Sequence, residues 1–376
     1  MRIAIVREFV EPGDGISRVM LELAERLARR GHDVCVIVLR SDLEAHHARI
    51  VELGCIRGIP YDAYISEASP KKIKDLLKLL DDYDIMNSHA EPVRLLCSLK
   101  KALSDIPHVA CDHGLQPWLE QGLRKIAYRF LEFTNYIAYR CVDEVIVPSR
   151  YLKARLASLY GVRAKVIMFH GVDTRKFHPG VNGSEVREEL GIEGPMVFYV
   201  GRIVPYKGVH YLIKAMRAVN KELPDARLVI GGKPDRSFLD YYKYLRRLAD
   251  KNIIFTGYVP EEKLPKFYAA CDVFATGTLW EGILQPEPFA FAKPIVAFNI
   301  TSNPEVVKHG LTGLLVPPGD WEALGEAILS LLKDDERRLK MGVNARRLAE
   351  ELFDWEKITD RMEEEFKMLI KGNQAE

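Results

Sequence analysis

Arg202 and Lys207, in the glycine-bounded stretch VGRIVPYKG (Val200–Gly208), are the residues of this sequence best suited to chemistry on a phosphate. A guanidinium grips an oxyanion through two parallel hydrogen bonds, and an ammonium adds a mobile point charge. Together they suit a diphosphate whose charge grows during reaction. An apolar run, Met196–Tyr199, precedes the stretch, and Val209, Leu212, Ile213, Met216 and Val219 follow it at helical spacing. The order is therefore strand, glycine-rich loop, helix. A helix that starts there turns unpaired backbone N–H groups and a partial positive charge toward the loop. The plain alternative is a surface turn carrying two solvated cations, and on this stretch alone both readings stand.

Other residues could carry chemistry at the ends of predicted strands. His89 in DIMNSHAEP and His113 in VACDHGLQP follow apolar runs, and ligands bind at the carboxyl ends of parallel strands. A lone histidine is also commonly structural. Gly13 and Gly15 in EPGDG let the backbone approach a ligand closely, or simply make a tight turn. The six cysteines are scattered singly with no CxxC pair, so neither a zinc site nor a disulfide framework is signalled. Trp118–Arg140, WLEQGLRKIAYRFLEFTNYIAYR, mixes aromatics and cations at near-helical spacing. Such a helix seats on a membrane surface, or else packs in the core with its cations reaching solvent. KKIKDLLKLL, Lys71–Leu80, carries the same ambiguity more weakly.

The elements that must position these residues follow from the apolar pattern. Arg2–Val6 reads as a strand, and Ile16, Val19, Met20, Leu23, Ala24 and Leu27 mark a helix, with Ser17 as its cap, that closes at Gly31 before the strand Val34–Val38. This is a βαβ unit, which implies a parallel sheet. Further strands are predicted at Ile85, around Val109, at Glu144–Val147 and at Lys165–Phe169. After a Gly- and Pro-rich linker at Phe177–Val186 a second set follows: Met196–Val200, Leu228–Ile230, Ile253–Phe255, Val273–Ala275, Ile295–Phe298 and Gly313–Val316. With 376 residues two domains are expected, 1–180 and 181–355. A last helix, about 356–376, is placed to pack back on the first. The balance of 54 basic and 53 acidic residues leaves a net charge of +1, which supplies no field for drawing in nucleic acid. The N-terminal run is too short and too charged for a signal peptide, and no stretch reaches the ~20 apolar residues that span a bilayer. A soluble, cytoplasmic protein is expected, with peripheral contact at the inner membrane face if Trp118–Arg140 binds lipid.

The ordered set LARRGHDV, DIMNSH, VPSRYLK, HGVDTRKF, VGRIVPYKG, LVIGGKP, FTGYVP, LWEG, EPFAFAKPIVA, NPEVVKHGLTGLLVPPGD and FDW resembles the family 4 glycosyltransferases nearly end to end. The resemblance implies an α/β fold of two Rossmann-like parallel-sheet domains facing across a cleft, the GT-B type. It implies retaining transfer from a nucleoside diphosphate sugar, such as a UDP- or GDP-sugar, to a carbohydrate, lipid or small-molecule hydroxyl, with no cofactor and no metal. Arg202 and Lys207 are implied to hold the diphosphate, Glu287 the ribose, and Glu281 with the backbone after Gly282 the sugar, beside which His113 would lie. The implied donor-binding set is Gly13, Gly15, Gly201, Arg202, Lys207, Gly232, Tyr258, Val259, Gly282, Ile283, Leu284 and Glu287. Arg202, Lys207, His113 and Glu281 would act in the reaction.

Three departures from the family pattern bear on that set. Five residues, not the usual seven, separate Glu281 from Glu287, and Leu284 stands where a glycine is usual. Alignment on Glu281 would put Phe289 in the second acid's place. We take Glu287, because AFAKPIVA then falls in register. His170 replaces the asparagine before GVD, and Asp14 interrupts the double glycine. Asp82-Tyr83-Asp84 matches the DxD pattern by which metal-dependent sugar transferases hold a cation. It precedes its strand, at the wrong end of the sheet for the ligand, so it is expected to face water. A sugar-nucleotide epimerase of the same architecture and a non-catalytic sugar-nucleotide-binding subunit are the rival readings.

Overall fold

The computed structural model describes residues 1–54, 70–89, 97–98, 100–101, 104–114, 136–168, 170–280 and 284–373. The chain forms two compact units, Met1–His170 with Trp355–Glu376, and Gly171–Asp354. The chain thus passes between units at 170/171, whereas the sequence placed the linker at Phe177–Val186.

The first unit carries a seven-stranded sheet in the order β5-β3-β1-β6-β7-β8-β9: β1 Arg2–Val6, β3 Asp33–Val38, β5 Arg49–Glu52, β6 Ile85–Ser88, β7 His108–Cys111, β8 Glu144–Val147 and β9 Lys165–Val166. Every pairing in it is parallel, for instance Ile3 beside Ile85 and Val34 beside Ile3. Parallel strands are buried on both faces, which is why β1 and β3 read as nearly continuous apolar runs. A two-stranded ribbon, β2 Phe9–Val10 with β4 Arg40–Ser41, was not foreseen, nor was β5. Two-residue pairings and an edge strand as polar as RIVE leave little pattern to detect. The strand expected over Lys165–Phe169 is observed for its first two residues.

The first helix, Gly15–Arg29, is capped by Asp14, not by Ser17 as expected. The Asp14 carboxylate accepts from the Ser17 amide at 2.7 Å and from its hydroxyl at 2.8 Å, so Ser17 sits inside the first turn. Arg7 pairs with the same carboxylate and holds its proton affinity below the ordinary range together with the Ser17 bonds, against the opposing pull of burial. The last helix, Trp355–Asn373, belongs to this unit. Its Trp355, Ile358, Met362 and Phe366 join Ile3, Met20, Leu23 and Val36 in one core, and Arg30 ties it down through Glu356, Asp360 and Glu363. The segment Lys71–Leu80 falls on the helix Pro70–Leu79, and its Leu76 and Leu80 pack with Val6, Cys35 and Met86. Leu76 and Leu80 therefore serve the core.

The second unit carries a six-stranded parallel sheet in the order β12-β11-β10-β13-β14-β15. The strands are β10 Met196–Val200, β11 Arg227–Gly231, β12 Ile253–Gly257, β13 Val273–Ala275, β14 Ile295–Phe298 and β15 Gly313–Val316. β11 lies on one side of β10 and β13 on the other, so the chain reverses its direction of growth across the sheet between β10 and β13. Open α/β sheets bind ligands outside the carboxyl ends of the strands at such a point. Among the described residues no helix is long and apolar enough to cross a membrane. Most of Trp118–Arg140 lies outside them.

Candidate active site

Three loops leave the carboxyl ends of β10, β11 and β13 and meet over the second sheet. Gly201 takes a φ of 156° and Gly232 one of 146°. A Cβ on Gly232 would stand 1.9 Å from the Gly201 carbonyl oxygen, so the two loops touch backbone to backbone. Gly208, at φ 63°, packs in the same way on Gly277, whose carbonyl oxygen would lie 1.8 Å from an added Cβ. The β10 loop is thus clamped from both sides where the sheet reverses.

Between the clamps the chain makes a short 3-10 turn, Pro205–Lys207, and then enters the helix Val209–Glu222 with no side-chain cap. Arg202 is exposed, and its Nη2 donates to the Tyr206 hydroxyl at 2.9 Å. Lys207 keeps partial access to solvent. The protein crowding it disfavours its charge, and Arg202 adds like-charge repulsion, so its ammonium is pulled down to about 8. Among the described residues no carboxylate forms an ion pair with Lys207. Two neighbouring cations at a helix N-terminus are in this way arranged for an anion that the described residues do not themselves supply.

The helix N-terminus is less open than the sequence implied. The His210 amide donates to the Tyr241 hydroxyl at 3.3 Å, so one of the expected unpaired N–H groups is occupied. Tyr206 and Tyr241 are the residues that sequence reasoning passed over. Their hydroxyls act on the loop from a neighbouring turn and from the helix Leu239–Leu248, and only the location of Tyr206 inside the stretch was a signal.

Of the other expected donor-binding residues, Tyr258 follows β12 and is 38% exposed, with Lys233 Nζ 4.7 Å from its ring centroid. Val259 is buried against the position a Gly231 side chain would take. Leu284 is buried. Glu281, Gly282 and Ile283 lie outside the described residues. Glu287 and Phe289 share the short helix Glu287–Ala290 and are both buried, Phe289 with its ring 6.4 Å from that of Phe353. Arg346 holds this helix by donating to the Ala290 carbonyl at 2.7 Å and to Phe177 and Thr174 carbonyls. Glu287 thus puts a carboxylate in the first turn of a firmly held helix, where the dipole favours it.

In the first unit, Gly13 has a φ of 78° and Gly15 opens the first helix with nothing within 4 Å of an added Cβ. The positive end of that helix already holds the Asp14 carboxylate. His113 follows β7 and contacts two further histidines, with Nε2 3.0 Å from His89 Nδ1 and Nδ1 3.3 Å from His170 Nε2. Asp84 of the DYD triplet accepts from the Arg2 amide at 2.7 Å and from its guanidinium, at the amino ends of β1 and β6. The Tyr83 hydroxyl accepts from Arg49. Among the described residues no cluster of three acidic, histidine or cysteine side chains could hold a metal.

Two parallel α/β units, with paired cations at the switch point of the second, make a GT-B-type α/β architecture, and the sequence comparisons specify the family. Residues 184–348 match the Glycosyl transferases group 1 family and residues 13–176 match Glycosyltransferase Family 4. The chain belongs to this family of glycosyltransferases. It is 31% identical over 313 residues to a GDP-mannose-dependent alpha-(1-6)-phosphatidylinositol monomannoside mannosyltransferase from Mycolicibacterium smegmatis, covering 76% of this chain and 77% of that one. Among solved structures, a sucrose-phosphate synthase from Thermosynechococcus elongatus superposes with a TM-score of 0.84 at 22% identity, covering 99% of both chains. Anabaena HepE in complex with UDP-glucose superposes with a TM-score of 0.82 at 21% identity, covering 98% of this chain and 100% of that one.

Proposed function

We propose that the protein moves a sugar from a nucleoside diphosphate sugar to a hydroxyl acceptor with retention at the anomeric carbon. The observation that carries this reading is Lys207, an ammonium beside Arg202 with no carboxylate ion pair among the described residues, on the loop where the second sheet reverses. A leaving diphosphate gains charge as the sugar carbon becomes oxocarbenium-like, so fixed cations and a helix N-terminus lower the barrier more than a strong base would. The departing phosphate oxygen then takes the acceptor's proton on the same face, which retains configuration without a protein nucleophile. In this reading Glu287 bonds the ribose, and His113 and Glu281 serve the transferred sugar. The GDP-mannose dependence of the mycobacterial relative and the UDP-glucose bound to the Anabaena protein support a nucleotide-sugar donor without choosing the base.

The test is incubation with UDP- and GDP-sugars after a melting-temperature screen. A donor far above its Kd stabilises the fold by a few kcal/mol, on the order of 3. Transfer products support the reading, an epimerised donor replaces it with an epimerase, and binding without turnover replaces it with a non-catalytic subunit.

Two further outcomes follow from the same site. Glu287→Gln keeps shape and removes charge, so donor affinity is expected to fall by about tenfold to a hundredfold, the worth of one charge-assisted hydrogen bond, in a titration with nucleoside diphosphate. An unchanged affinity would overturn the choice of Glu287 over Phe289. With cations supplied by the protein, turnover is expected to survive a chelator, and the double variant Asp82→Ala, Asp84→Ala to stay active. Loss restored by a divalent ion would reverse that expectation.

A further inference from the structure

His89 is the first residue past β6, which pairs with β1 and β7, so it stands where the first sheet also reverses. Its amide donates to the Val6 carbonyl at 3.1 Å, and its ring is buried. The ring joins a chain of polar groups: Asn87 Oδ1 lies 2.8 Å from His89 Nε2, His89 Nδ1 3.0 Å from His113 Nε2, and His113 Nδ1 3.3 Å from His170 Nε2. Asn87 Nδ2 lies 3.2 Å from the Val109 carbonyl oxygen.

The positions of the protons in this chain follow from one atom. The Val109 carbonyl can only accept, so Asn87 must turn its NH2 toward it and its oxygen toward His89. That oxygen can also only accept, so His89 carries its proton on Nε2. A neutral imidazole holds one N–H, which makes His89 Nδ1 an acceptor and requires the His113 proton on Nε2. His113 Nδ1 is then an acceptor as well. A backbone carbonyl on β7 thereby dictates the tautomer of a ring on the loop that follows it.

We infer that Asn87 and His89 are positioning residues that hold His113 as its Nε2–H tautomer, so that it offers a substrate hydroxyl the Nδ1 acceptor, a position that His170 Nε2 fills in this structure. The inference rests on the reading that His113 serves the transferred sugar. The hydroxyl replaces His170 at the longer of the two contacts, while the shorter one to His89 keeps the ring oriented. His170 thus satisfies the acceptor until a sugar hydroxyl takes its place, and Asn87 and His89 act only through His113.

The test uses the full chain labelled with 15N-histidine, observed above the titration range of imidazole, where long-range 15N spectra distinguish the tautomers. Nε2–H patterns are expected for His89 and His113, and an Nδ1–H pattern for His113 would overturn the inference. His89→Asn places an amide oxygen where Nδ1 stands, whereas His89→Leu keeps bulk without an acceptor. The Leu variant is expected to lose about tenfold or more in kcat, with the donor KM within about twofold, and to disturb the His113 tautomer. The Asn variant should keep the tautomer and most of the turnover. Equal impairment of the two variants, or a disturbed tautomer with unchanged kcat, refutes the positioning role. If the Leu variant does not fold, the wild-type spectrum and the Asn variant still decide. Should Lys207→Ala keep full turnover, the transfer reading fails while the tautomer assignment stands, so the two failures are distinguishable.

Discussion

Lys207→Ala is expected to lower turnover by about a hundredfold or more, the usual cost of removing one preorganised group that meets charge developing in a transition state. The fold should not suffer. The ammonium is crowded by protein and repelled by Arg202, so its folded value of about 8 lies below the ordinary 10.5. The unfolded chain therefore binds that proton more tightly, and the charged lysine costs stability below pH 8, a cost that disappears as pH rises from about 8 to 10.5. Removing the side chain relieves it, and the variant should melt no lower than the parent at neutral pH. The same shift predicts that kcat/KM falls as pH rises through about 8, because the free enzyme loses the cation there. Lys207→Arg should abolish that limb even where it lowers the rate. Normal turnover in the alanine variant, or loss accompanied by a collapsed melting temperature, would sink the role assigned to this residue.

Gly208→Ala is expected to remove donor binding and to destabilise the second unit by about 3 kcal/mol or more, combining left-handed backbone strain with overpacking against an atom that cannot rotate away. At φ 63° the added Cβ would stand 1.8 Å from the Gly277 carbonyl oxygen and 3.0 Å from Tyr211 Cδ2. Since Gly277 in turn would clash with the Gly208 carbonyl at 2.3 Å, neither loop can yield alone. A control separates the two contributions. Gly191 has nearly the same φ, 62°, at the end of the helix Ser184–Leu190, with nothing within 4 Å of an added Cβ. Gly191→Ala should therefore cost only the backbone strain, about 1 kcal/mol, and leave donor binding intact. At about 2–4 °C per kcal/mol for a unit of this size, calorimetry resolves the pair. Equal melting shifts would show that the close approach of the two loops contributes nothing.

The expectations that agree with the structure depend on neighbours in sequence. A four-residue apolar run such as Met196–Tyr199, too short for a helix and bounded by Pro195 and Gly201, reads as a buried strand, and the apolar spacing from Val209 to Val219 reads as one face of a helix, so the β10 loop and its cations were placed by local pattern. The ordered motifs extended this to the family. Local pattern failed where a polar side chain had competing partners: Ser17 reads as a cap, but the carboxylate of Asp14 is the stronger acceptor and Arg7 supports it. Everything that joins distant segments was decided by tertiary structure. The contact of Gly208 with Gly277 exists only because β13 lies beside β10, and the occupied amide of His210 only because the helix Leu239–Leu248 brings Tyr241 to it. The three linked histidines show the same limit most sharply. His89 and His113 each read as a solitary imidazole, and His170 as a substitute for an asparagine, because a hydrogen bond depends on distance in space, and parallel strands bring together chain positions that no sequence period connects.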